Sequence, residues 1–284
     1  VWFNDHIDFR SNIVAQEEEN FINLNGDLLF LKNKTEISFD KSDIFAIGKQ
    51  WDLSPENKII ISNNEFSFNN IKFFHGEQNI TVNGAISDSV DKKLTVEINN
   101  FDVSNLDPVL AYDFDGEING YLEIQNLYNE MLMESEMAIN DFTIETFLVG
   151  DLSGSSKWNN LEKQLDINYQ INRLSRKIMD LAGYIKPQEE KEQLNILATF
   201  DQANINIAEP FIKEVFSEIK GVASGEFQIS GMINYPILTG EGEIKDGGFK
   251  LNYLNTTYTF GGKLHFDANE IGVRELNLYD EKSN

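Results

Sequence analysis

Between Gly221 and Gly262 the chain reads GVASGEFQISGMINYPILTGEGEIKDGGFKLNYLNTTYTFGG, a glycine-rich stretch in which Phe227, Ile229, Phe249, Leu251, Tyr253, Tyr258 and Phe260 recur two residues apart. A period of two places side chains on one face of a β-strand. The same alternation appears at Ile37/Phe39, Ile59/Ile61, Leu94/Val96/Ile98, Leu122/Ile124, Met131/Met133, Met137/Ile139 and Leu165/Ile167/Tyr169. Asn63-Asn64, Asn69-Asn70, Asn99-Asn100 and Asn255-Thr256 punctuate the runs as turns. This pattern predicts an all-β protein, an elongated and curved, mostly antiparallel repeat sheet with an apolar concave interior and one or two short helices.

A five-residue pattern, apolar-x-Gly-x-apolar, sharpens the expectation. It centres on Gly26, Gly84, Gly120, Gly183, Gly225, Gly231 and Gly262. Three copies contain Asn-Gly, which often makes a hairpin turn. The apolar bracket persists in the four copies without Asn, so the glycines are expected inside strands, where they let a sheet bend around a groove.

Helices are few. In EPFIKEVFSEIKG, Phe211, Ile212, Val215, Phe216 and Ile219 share a helical face, Pro210 suits a first turn and Gly221 the position past the end. A helix is therefore expected over Pro210–Lys220, and a shorter one beginning at Asp107-Pro108. Ile171 to Leu181 also fits a helical face, but two strands joined near Arg176 are preferred. Shifting Gly116–Asp141 by 105 positions superposes Gly116, Gly120, Ile124, Asn129, Glu136, Ile139 and Asp141 on identical residues, and a shift of 102 superposes Pro108 on Pro210. The chain thus divides into a groove segment (1–104), a repeat unit (105–206) and a second copy (207–284), stacked as one sheet.

Charge excludes some partners. The 47 acidic against 23 basic residues leave a net charge of −24, which removes the electrostatic footprint for nucleic acid. Cysteine is absent, so no disulfide framework or thiolate metal site exists. No apolar run reaches 18 residues and no leader is present, and the start at Val1 reads as a segment of a longer protein.

Catalytic chemistry finds no foothold, and no metal site or cofactor is expected. His6, His75 and His265 fall on separate strands without a second ligand at helix or hairpin spacing, and Glu17–Glu19 and Glu189–Glu190 belong to charged loops. DLSGSSKW (151–158) reads as a loop, without the helix that a nucleophilic Ser-x-x-Lys needs. Met131, Met133 and Met137 read first as core filling. Trp2, Trp51 and Trp158 are too scattered for a carbohydrate platform.

The residues Gly221-x-x-x-Gly225, Gly231, Pro236, Gly240, Phe249-x-Leu251-x-Tyr253-Leu254-Asn255-Thr256 and Tyr258-x-Phe260 resemble the C-terminal region of TamB proteins, members of the AsmA-like group. The stretches ITVNGAIS, FDVSNLDPVL and WDLSPEN fit the same family. The resemblance implies a periplasmic segment of a parent anchored in the inner membrane and reaching towards the outer membrane. Such a protein carries phospholipid acyl chains in an apolar groove and works with an outer-membrane barrel insertase of the TamA or BamA type. The groove lining expected here is Leu122, Ile124, Met131, Met133, Met137, Ile139, Phe227, Ile229, Phe249, Leu251, Tyr253, Tyr258, Phe260, Leu264 and Phe266. The alternative is a scaffold that helps barrel proteins assemble by lending them a strand edge.

Overall fold

A computed structural model describes all residues except 1, 4, 15–19, 90, 110–112, 268–269 and 281–284. The alternating residues form strands that pair antiparallel at every described ladder, in two compact units, Val1–Ile139 and Asn140–Asn284.

The first unit contains β1 (Trp2–Phe3), β2 (His6–Val14), β3 (Phe21–Leu31), β4 (Lys34–Phe39), β5 (Asp43–Ala46), β6 (Lys49–Leu53), β7 (Lys58–Ser62), β8 (Glu65–His75), β9 (Gln78–Ser87), β10 (Lys93–Asp102) and β11 (Phe114–Gln125), with most of β12 (Leu132–Ile144). Its sheet forks. One edge of β3 pairs with β4 along Gly26–Leu31 and with β5 along Phe21–Asn23, while β8 likewise takes β7 at one end and β6 at the other. At the fork the buried Asn57 side chain takes the place of a strand. Its Oδ1 accepts from the Phe39 amide at 2.7 Å, and its Nδ2 donates to the Phe39 carbonyl at 2.8 Å and to the Ser54 carbonyl. The β5–β6 hairpin places Ile44, Trp51 and Leu53 in a filled core with Ile71 and Phe101. The Trp51 ring stacks on Phe101 at 5.9 Å and its Nε1 donates to the Ala46 carbonyl, so the indole is buried with its polar atom satisfied.

The second unit continues with β13 (Phe147–Asn159), β14 (Gln164–Arg173), β15 (Arg176–Ile185), β16 (Leu194–Asn204), β17 (Phe216–Met232), β18 (Tyr235–Leu251), β19 (Thr256–Asp267) and β20 (Glu270–Asp280), each paired with the next. The preferred reading of Ile171–Leu181 holds, with β14 and β15 joined through Leu174–Ser175. DLSGSSKW, expected as a loop, lies wholly within β13, because Leu152, Gly154, Ser156 and Trp158 alternate onto one face.

The expected helix over Pro210–Lys220 is a single turn, α1 (Glu209–Ile212), following a 3₁₀ turn over Ile205–Ala208. From Phe216 the chain is strand. A bulge there puts Glu218 at φ +53° and shifts the register between Ser217 and Lys220, so Phe216 and Ile219 acquire a spacing of three without a helix. The Glu209 carboxylate accepts the amides of Glu218 and Ile219 at 3.2 and 3.0 Å, which satisfies the backbone that the bulge frees. The second expected helix is a 3₁₀ segment over Val103–Val109, starting earlier than Asp107.

Two expected turns are also bulges. Asn70 and Asn100 take φ near +50° inside β8 and β10, where Asn tolerates the left-handed region as it does in turns. Each freed amide finds a side chain on the next strand. Asn70 donates to Asn83 Oδ1 at 2.7 Å and Asn100 to Asn119 Oδ1 at 2.9 Å. Asn83-Gly84 and Asn119-Gly120 are therefore strand-interior clamps, and all seven bracketed glycines lie within strands.

The internal repeat reappears as geometry. Ile98 faces Gly120 and Phe101 faces Ile118 across a bulge, as Phe200 faces Gly225 and Ala203 faces Ala223 across another. Gln202 matches Asn100 in φ, at +48° against +51°, and donates its amide to Ser224 Oγ beside Gly225. Asp246 matches Asp141 at +51° against +50°.

Candidate apolar face and its cavity

In the second unit, the ladders align one cross-strand row from β13 to β19: Gly154, Tyr169, Leu181, Ala198, Phe227, Gly240 and Phe266. Rows on either side carry Ile167, Gly183, Ile196, Ile229 and Leu238, and Leu152, Ile171, Met179, Phe200, Gly225, Gly242 and the position Leu264. The bulge at Asp246 adds one residue, which keeps Gly247, Phe249 and Leu251 on this same face despite their odd spacing from Ile244. Phe249 then lies opposite Tyr258, and Phe260 opposite Gly247.

Some of the glycines on this face, Gly154, Gly240, Gly242 and Gly247, make room for neighbouring rings. A Cβ at Gly240 would meet the Phe227 ring, which leans across β18 to reach Phe266 with centroids 5.0 Å apart, edge to face. Phe200 meets Phe227 at 5.4 Å, and Phe249 meets Phe216, Tyr258 and Phe260 at 5.0, 5.6 and 5.5 Å. The first unit uses the same device. Phe9 and Phe39 meet across Gly26 at 6.1 Å, and Met137 covers Gly120.

These aromatics are half-buried, whereas the opposite face alternates with exposed Asn168, Gln170, Ala182 and Asn195. Of the expected lining, Phe227, Ile229, Phe249, Leu251, Tyr258, Phe260 and Phe266 share the face by register. Leu122 and Ile124 share a face with Val96 and Leu94 in the first unit, and Met133, Met137 and Ile139 are half-buried in β12. Met131 precedes β12 instead of lying on it. Tyr253 is corrected: it occupies the turn after β18 and is 93% exposed, because β18 ends at Leu251 and the alternation ends with it.

Near one end of the face, Val149, Met179, Phe200, Ala203, Ala223 and Phe227 line a cavity of about 90 Å³, with Arg173 at its border. The Arg173 guanidinium sits 4.8 Å from the Phe147 ring centroid, and its buried Nη1 has no hydrogen-bond partner. Phe147 also lines a cleft of about 390 Å³ with Glu145, Asn206, Glu209 and Lys213. Neither feature was visible in sequence, since Arg173 gains its surroundings from β13, β15 and β16.

A separate polar cluster corrects the reading of the histidines. His6 Nε2 lies 2.9 Å from Asp27 Oδ1 and 3.1 Å from Asp8 Oδ1, with Asp8 directly opposite Asp27 on β2 and β3. These three groups converge closely enough to hold a metal ion, although all are partly or fully exposed. The signal was the strand spacing His6-x-Asp8, two residues apart on one face. The hydrogen bond to Asp27 raises the His6 pKa, and the same bond lowers that of Asp27.

Among the described residues, no helix is long and apolar enough to cross a membrane. Compared with family models, with curated proteins and with solved structures, the chain gave no match in any of the three.

Proposed function

We propose that the chain is a segment of a hydrophobic conduit, which shields phospholipid acyl chains from water along the apolar face of its second unit. The observation that carries this reading is the run of aligned apolar rows from β13 to β19 whose aromatics stay half-exposed. An apolar surface of this extent calls for a covering ligand or partner. Each methylene withdrawn from water contributes about 0.8 kcal/mol, so many shallow contacts can hold a chain without trapping it. The periplasmic setting, the inner-membrane parent and the barrel-insertase partner follow from the resemblance to TamB proteins and belong to the same proposal. No catalytic role is proposed.

The test is capture of a photo-crosslinkable phospholipid. Phe260→Glu places a carboxylate on the face and is expected to lower capture while the protein stays folded. Thr259→Glu, on the opposite face, is expected to leave capture unchanged. Undiminished capture by folded Phe260→Glu would remove this residue from the path, and no capture by the wild-type protein would end the conduit reading.

A second reading, strand augmentation of barrel proteins, draws on β20. Among the described residues its eleven residues pair only with β19, and a strand edge of this kind is what augmentation uses. Retention of an unfolded barrel peptide in the absence of lipid would favour it.

A further inference from the structure

We propose that Arg173 binds the phosphate of a lipid head group while part of one acyl chain of that lipid enters the cavity beside it. This rests on the conduit reading and gives it a fixed point.

In a chain with a net charge of −24, a half-buried guanidinium with no counterion among the described residues is anomalous. Arg176, three residues on, is paired in the expected way, with Nη2 2.7 Å from Asp201 Oδ2 and Nη1 2.8 Å from Gln202 Oε1. Among the described residues Arg173 has no such partner, and its Nη1 is buried. An orphaned buried donor is costly, and a charged one more so. The two acids of the cleft that Phe147 also lines are committed elsewhere. Glu145 pairs with Lys213 at 3.3 Å, and the Glu209 carboxylate is held by the amides of Glu218 and Ile219.

The Phe147 ring lies under the guanidinium carbon and supports it from one side, so a phosphate would meet the guanidinium through the donors that the ring does not cover and would draw the buried Nη1 towards it. The adjoining cavity is lined by apolar side chains apart from this residue and Asn204. At about 90 Å³ it is smaller than the roughly 150 Å³ apolar cavity known to admit benzene, so it suits a stretch of a single chain. An unpaired cation beside an apolar slot matches an anionic amphiphile in charge and in polarity.

The test compares lysophosphatidic acid with a monoacylglycerol of the same acyl chain, below their micellar concentrations, by isothermal titration and native mass spectrometry. The wild-type protein should bind the phosphate-bearing lipid at least about tenfold more tightly, the effect of one charge-assisted pair. Arg173→Gln should remove that preference without lowering Tm, and Arg173→Lys should keep part of it. Millimolar inorganic phosphate should not compete, because it brings no chain. Equal binding of both lipids by the wild-type protein, or a preference that survives Arg173→Gln, overturns the assignment and leaves the conduit reading standing. Competition by free phosphate at the affinity of the lipid also overturns it, by reducing the site to a plain anion site. If Arg173→Gln does not fold, the wild-type preference and the Arg173→Lys result decide. Loss of both lipids and of phospholipid capture by the wild-type protein would instead end the conduit reading itself.

Discussion

At the residue scale, glycine sets what each strand can approach. A Cβ at Gly225 would overlap the Glu241 carbonyl oxygen and the Gly242 Cα on β18, both of them backbone. Gly225→Ala should therefore destabilise by about 1–3 kcal/mol, the usual cost of overpacking. Gly261→Ala, where the nearest atom is the Ile244 carbonyl oxygen at 3.4 Å, should stay within about 0.5 kcal/mol, measured by urea unfolding. His6 gives a pH prediction. Its pKa is raised above 6.5 by the bond to Asp27, so its contribution is complete below that value and fades as pH rises through the folded pKa. Asp27 is lowered from 3.8, so its contribution is present above that value and lost as pH falls through the folded pKa. The pairing of β2 with β3 should be firmest between these limits. An NMR titration of the His6 ring should show the raised pKa, and Asp27→Asn should bring it back towards 6.5.

At the scale of elements, side chains repeatedly stand in for a missing backbone partner. Asn83, Asn119 and Ser224 accept the amides that bulges free, and Asn57 extends the β4–β7 ladder where the sheet forks. Asn57→Ala would orphan groups in a site where only 3% of the residue is exposed, so a loss of about 3 kcal/mol is expected. Chemical denaturation followed by Trp51 fluorescence would measure it. Asn119→Ala, at a more open bulge, should cost about 1 kcal/mol. A larger loss at Asn119 than at Asn57 would contradict this account.

At the scale of the whole molecule, strand dominates and charge is unbalanced. With 47 acidic and 23 basic residues, repulsion opposes the folded state, and added salt screens it. Raising sodium chloride from about 0.05 to 0.5 M should raise Tm, despite weakening exposed pairs such as Lys177–Asp180 and Lys245–Glu243. A falling Tm would mean that those pairs outweigh the net repulsion.

The all-β architecture, the strand-interior glycines and the β14–β15 hairpin were legible in the sequence, because side-chain period and glycine placement are local properties of a strand. Glycine contacts at Gly120 and Gly225 and the positive φ of Asp141 and Asp246 recur 105 residues apart, while the bulges at Asn100 and Gln202 recur 102 apart. What the sequence could not decide was anything set by register. Phe216 and Ile219 have helical spacing, and only the ladder with β18 turns that spacing into a bulge. Tyr253 continues an alternation that the strand itself does not continue. The forked sheet around Asn57, the rings laid over glycines of the neighbouring strand and the unpaired Arg173 depend on residues distant in sequence. Their energies come from contacts that exist only after the strands have paired, so the tertiary structure alone decides them.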